Sequence, residues 1–154
     1  MKKQLLLSAR IAIMAAILIS GACTRANGQN RTKEAPEKVA IYLRSIEIKK
    51  EKHLLMFDSN GNFATDSLKT IIRAGGSVFW ELDPSSGIKK IERIYPSRAR
   101  KIFTEDAKKQ VFGKGFKLKV PDNIPENTEE EYIIEYIDQD NLNVKIDPYI
   151  RIED

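Results

Sequence analysis

Phe116-Lys117-Leu118-Lys119-Val120-Pro121 alternates apolar and charged residues at every step and then meets a proline. Successive side chains of a strand point to opposite faces. Phe116, Leu118 and Val120 therefore share a buried face, and Lys117 and Lys119 face water. Proline has no N–H to give a ladder, so Pro121 ends the run. Outward from this stretch, similar short runs recur. Val39-Ala40-Ile41-Tyr42-Leu43 is one, residues 45–49 around Ile46 and Ile48 another, and Leu54-Leu55-Met56-Phe57 a third. Residues 68–73, residues 77–82, the run with Ile88, Ile91 and Ile94 up to Pro96, residues 131–137 and residues 144–152 complete the set. Val144, Ile146, Ile150 and Ile152 are core candidates, with Lys145, Arg151 and Glu153 outward, and Pro148 predicts an edge or bulge in that last strand. Residues 97–110 predict at most a short helical turn, because Glu105-Asp106-Ala107-Lys108-Lys109 has good helix propensity. The expected fold is all-β: a single antiparallel β-sandwich over residues 39–154.

The chain has 154 residues, 42% of them hydrophobic and 31% charged, with eight Gly and six Pro. This suits one globular domain and excludes a wholly disordered, collagen-like or multi-span membrane chain. A single Cys excludes an internal disulfide, and a single His argues against a histidine-built metal or catalytic centre. The net charge is +4. Lys2, Lys3 and Arg10 supply most of it, since residues 1–22 contain no acid and the remainder holds 23 basic and 22 acidic residues. That balance does not point to nucleic acid.

Residues 1–22 read as an export signal: a basic start, the apolar run Ile11-Ala12-Ile13-Met14-Ala15-Ala16-Ile17-Leu18-Ile19, then the small residues Ser20-Gly21-Ala22. A signal helix is expected there, too short to span a bilayer comfortably. Ile19-Ser20-Gly21-Ala22-Cys23 resembles the lipobox of bacterial lipoproteins, with Ser20 where Leu is usual. The resemblance implies diacylglycerol on the Cys23 sulfur, cleavage before Cys23 and acylation of the new amino terminus, hence a membrane anchor. Thr24 in place of Asp implies the outer membrane. Residues 23–38 hold no large apolar residue and read as a flexible tether spanning about 20 Å.

Gly75-Gly76-Ser77-Val78-Phe79-Trp80-Glu81-Leu82-Asp83 and Tyr132-Ile133-Ile134-Glu135-Tyr136 resemble strands of cupredoxin-like and immunoglobulin-like sandwiches. A blue-copper site needs two His, one Cys and usually an axial Met. His53 and Met56 cannot supply that set, so the resemblance implies a relative without copper ligands, and no cofactor or metal is expected.

Other local signals read as structure. His53 reads as an exposed or edge-strand side chain. Asn60-Gly61 within Asp58-Ser59-Asn60-Gly61-Asn62 predicts a type I′ hairpin. The oxygen-rich stretch Asp138-Gln139-Asp140-Asn141-Leu142-Asn143 predicts a hairpin turn, with calcium as the alternative. No nucleophile-elbow, phosphate-loop or zinc-protease motif occurs. Charge is segregated: residues 89–119 hold eleven basic and three acidic residues, and residues 120–154 two basic and eleven acidic. Either the two segments neutralise each other, or Arg98, Arg100, Lys101, Lys108 and Lys109 form a basic interaction surface and Glu129, Glu130 and Glu131 an acidic one. The functional expectation is a lipid-anchored binding or protein-interaction module of the cell envelope, without catalysis, facing an envelope protein or glycan. The alternative is a polysaccharide-acting hydrolase with a cross-strand carboxylate pair.

Overall fold

Alternation decides which side of each strand is dry. Val39, Ile41 and Leu43 are fully buried along β1 (Lys38–Ile48), as are Leu54 and Met56 along β2 (Glu51–Asp58). The computed structural model describes residues 35–98, 100–111 and 113–153. The further strands are β3 (Phe63–Thr65), β4 (Lys69–Ile72), β5 (Ser77–Leu82), β6 (Ile88–Pro96), β7 (Lys108–Lys109), β8 (Phe116–Lys119), β9 (Glu129–Asp138), β10 (Asn143–Ile146) and β11 (Tyr149–Ile152). No helix occurs among the described residues. The expected signal helix, Cys23 and the tether up to residue 34 lie outside them. Ala35 is buried, and the Pro36 and Glu37 carbonyls accept from Arg73 N and Ser77 N. Packed structure therefore starts four residues before Val39.

One sheet runs β3-β2-β1-β5-β8-β7; the other runs β10-β9-β11-β4, with β6 on the free side of β9. Neither sheet is purely antiparallel, which corrects that part of the expected fold. β1 runs parallel to β5, and β11 parallel to β4. The reason is chain crossing: after β3 the chain enters the second sheet as β4 and returns to the first as β5, which therefore pairs with β1 in the same direction. The return happens at Gly75-Gly76. Gly75 has φ of +72°, and a side chain on Gly76 would come within 2.7 Å of Ile72 and 2.8 Å of the Glu37 carbonyl. Only glycine fits both demands.

Side chains of both sheets meet in a single core. Trp80 of β5 donates its indole N–H to the Tyr132 hydroxyl of β9 at 3.1 Å, and Phe103 stacks on Tyr132 at a ring separation of 5.3 Å. Phe116, Leu118, Val120, Ile146, Ile150 and Ile152 are all buried, as their alternation predicts. Pro148 splits the last run into β10 and β11, each paired to a different half of β9. β6 buries Ile88, Ile91 and Ile94 at a period of three, which a regular strand cannot do. Register shifts after Ile88 and Ile91 each insert one residue and reset the face.

Among its described residues the segment between β6 and β7 contains no helical turn, and it buries Ile102, Phe103 and Ala107 instead. Glu130 explains this. It is 5% exposed, and its Oε2 accepts from the backbone N–H groups of Lys101 (3.0 Å), Ile102 and Phe103 (3.1 Å). One carboxylate thus satisfies three donors that a helix would have paired internally.

The β2–β3 connection is a hairpin, with a different turn from the expected type I′. Gly61 N donates to Asp58 O, and Gly61 alone has positive φ, so a type I turn is followed by a bulged glycine. Asp58 Oδ1 also accepts from Asn60 N and Asn62 N. Asp138 builds the same turn with Asp140 N and Leu142 N, and with Asn141 at φ of 63°. Both oxygen-rich stretches are thereby accounted for as turns. The type I′ geometry occurs elsewhere: Lys49 and Lys50 link β1 to β2 with φ of 50° and 72°. Two non-glycine residues in the left-handed region cost about 1–2 kcal/mol each.

Two stability predictions follow from these backbone arrangements. Replacing Lys49-Lys50 by Asn-Gly should raise stability by about 1–2 kcal/mol in urea unfolding, with the slope unchanged. Glu130→Ala should lower it by about 3 kcal/mol or more and expose the amides of Ile102 and Phe103 to fast hydrogen exchange.

Candidate functional site

A polar groove of about 560 Å³ opens where β2 and the Asp66-Ser67 corner face β9, β10 and β11. It contains His53. β3 pairs with β2 only over Leu55, Met56 and Phe57, so beyond that pairing the outer flank of β2 at His53 carries no strand among the described residues, and the side chain is half-buried. Its Nδ1 lies 2.6 Å from Asp66 Oδ2. Asp66 is held from both sides: its N–H donates to Leu54 O, and its Oδ1 accepts from Leu54 N, both at 2.8 Å. These bonds keep Asp66 at φ of 62°, a conformation a non-glycine residue adopts at a cost. The dyad fixes the ring orientation and leaves Nε2 without a hydrogen bond among the described residues.

Lys52, next along β2, also lines the groove and reaches the second sheet. Its ammonium bonds Asp138 at 2.5 Å and Asp140. These two carboxylates hold the lysine well above its ordinary range, and Lys52 is the main reason Asp138 is held below its own. Asp138 is only 1% exposed, so this bridge joins the first sheet to the β9–β10 turn of the second.

The far wall carries two tyrosines and an acid. Glu131 accepts from Ser97 Oγ at 2.7 Å and from the Tyr149 hydroxyl at 3.2 Å. The Ser97 bond is the largest cause of its lowered carboxyl. Tyr149 is raised in turn, chiefly by its bond to Glu131. Tyr136 is pushed up to about 12, first by burial and then by the charges of Asp66 and Asp138. Both phenols are neutral at physiological pH; Tyr149 already donates to Glu131, and Tyr136 is 1% exposed.

The residues expected to form charged surfaces separate. Alternation along β9 sends the glutamates of its leading run, Glu129, Glu130 and Glu131, to different places. Glu129 pairs with Lys69 at 2.7 Å, Glu130 is inside, and Glu131 lines the groove. Arg100 bonds Thr104 O at 3.3 Å and Asp106 at 3.2 Å, while Lys108 pairs with Glu105 at 2.8 Å. Arg98 and Lys101 are exposed on the crossing segment, and Lys109 is exposed on β7. The basic segment leans on the acidic strand through Ser97, Lys101, Ile102 and Phe103, so part of the charge segregation is resolved internally.

Ser67 lines the groove, but among the described residues Ser67 makes no hydrogen bond to His53. No group of three or more His, Cys, Asp or Glu among the described residues is placed to hold a metal ion. A glycosidase acid needs a carboxyl raised by its surroundings, whereas Asp83, Glu131 and Asp138 are all lowered. Sequence reasoning reached His53 and Glu131 by name without placing them together. Asp66, Tyr136 and Tyr149 carry no local signal, since the groove is made by pairing of strands distant in sequence.

The chain matches no protein-family model and no curated protein.

The lowered carboxyls set an acid limit. In the unfolded chain Asp83, Glu131 and Asp138 return to the ordinary range near pH 4, so the unfolded state binds more protons in that window. Their contribution to stability is complete above it and disappears as pH falls through the folded values. Urea midpoints measured from neutral pH downward should decline below about pH 4–5, and Lys52→Met should flatten the decline by removing the main partner of Asp138.

Proposed function

We propose that this chain is an exported, lipid-anchored binding module of the bacterial cell envelope, held in the outer membrane through Cys23, with no catalytic step of its own. The signal-like residues 1–22 and the lipobox-like Ile19-Ser20-Gly21-Ala22-Cys23 support the address. Two sheets sharing one core across the Trp80–Tyr132 bond support a β-sandwich in the cupredoxin-like or immunoglobulin-like style.

The groove carries the binding role. It combines a fixed imidazole with a free nitrogen, two neutral phenols and ionised groups of both signs. Such a lining suits a ligand rich in hydroxyls and amides that also bears charge, as cell-wall glycopeptides do. Apolar ligands are disfavoured there, because they would strand Glu131 and Asp66 without water.

Two measurements test this. Cys23→Ser should abolish incorporation of labelled fatty acid and release the protein from membranes; retention of the variant in membranes contradicts the anchor. Solubilised cell-wall glycopeptides titrated into the full chain in micelles should shift the NMR signals of His53, Tyr136 and Tyr149. His53→Ala should weaken that binding about tenfold, or about 1.4 kcal/mol. Shifts confined to other residues would remove the groove from the binding role.

A further inference from the structure

The solvent side of the six-stranded sheet takes no part in the core, and register lays its side chains in rows. Lys38, Ser77 and Lys119 form one row across β1, β5 and β8. Ala40, Phe79, Lys117 and Lys108 form the next across β1, β5, β8 and β7. Four lysines thus surround Phe79 on a patch about 15 Å across. Lys117 extends over the Phe79 ring, its ammonium 5.3 Å from the ring centre. Lys108 and Lys117 stand directly opposite each other, an arrangement that destabilises a strand pair. Glu105 offsets Lys108 at 2.8 Å. Among the described residues, Lys38, Lys117 and Lys119 have no carboxylate within ion-pair distance. Phe57 and Phe63, the latter 76% exposed, continue the apolar ground of this face toward β3.

The position of the patch in the chain indicates its occupant. Lys38 begins β1, and fourteen residues separate it from Cys23. On the lipid-anchor reading, a flexible stretch of that length averages about 20 Å end to end. The opposite end of β1 is about 26 Å further along the strand, at Ile46, which pairs with His53. On that reading the lysine corner is the end of this sheet face closest along the chain to the anchor, and the groove lies toward the other end.

We propose that this corner docks on the anionic membrane surface to which the tether holds it, its lysines against phosphate headgroups and Phe79 among them. The proposal rests on the lipid-anchor reading. Clustered lysines add their attractions at an anionic surface, and aromatic rings settle at the headgroup level. Docking orients the groove away from the bilayer, toward its ligand.

The test reconstitutes the full, lipidated chain into vesicles of phosphatidylcholine alone or mixed with phosphatidylglycerol. Lysines are then footprinted with an amine-reactive reagent. Reactivity of Lys38, Lys117 and Lys119 should fall several-fold in the anionic vesicles, return at high salt, and leave Lys90 and Lys145 of the second sheet unchanged. A K117E/K119E double variant should lose the difference at Lys38 while still floating with the vesicles. A chain that floats but labels equally in both vesicle types overturns docking and leaves the anchor standing. A chain that does not float overturns the anchor and docking with it. Equal protection by inorganic phosphate in neutral vesicles assigns the patch to a soluble anion and also overturns docking.

Discussion

A single buried carboxylate oxygen organises the centre of this protein. Glu130 Oε2 gathers the N–H groups of Lys101, Ile102 and Phe103. That bond set lets an irregular crossing segment enter the core without stranding backbone donors. Phe103 can then stack on Tyr132, and Tyr132 can accept the indole N–H of Trp80. Sheet-to-sheet contact, the buried aromatic cluster and the path from β6 to β7 all hang on this chain of contacts. A charged group in the interior is ordinarily costly; three convergent N–H dipoles solvate Oε2 here, while Oε1 is buried without a hydrogen bond among the described residues.

Much of the strand pattern was legible because it is local. Phe116-Lys117-Leu118-Lys119-Val120 states its own two faces, and Gly75-Gly76 marks a backbone corner that no side chain can share. What the sequence concealed is non-local. A glutamate run reads as a surface feature, yet a strand period of two sends Glu130 inward and its neighbours outward. Ile88, Ile91 and Ile94 have the spacing of a helix face, and two bulges turn that spacing into strand burial. Parallel pairing of β1 with β5 has no sequence signature, because it follows from where the intervening β4 is placed. The groove is hidden for the same reason: His53 and Tyr136 are 83 residues apart in the chain.

The two halves of the charge pattern also divide by role. The acidic strand β9 spends one glutamate on the core, one on Lys69, one on the groove and one on Lys145. Basic residues of the crossing segment meet Asp106 and the edge of β9. Lys38, Lys117 and Lys119, by contrast, are brought together by sheet register rather than by sequence proximity. The charge surplus with a claim to function thus differs from the one that composition by segment suggests.

The doubly bulged β6 has a consequence of its own. At nine residues it is a long strand on the free side of β9, with Ala107 N bonding only Ile94 O on its other flank. A regular strand in that place would offer a template for another chain's backbone. The two inserted residues put the spacing of its free amides and carbonyls out of step with any regular strand, and Lys89, Lys90, Glu92 and Arg93 crowd its outward side. The same irregularity that fits three isoleucines into the core therefore makes the free flank of β6 a poor template for another chain's strand.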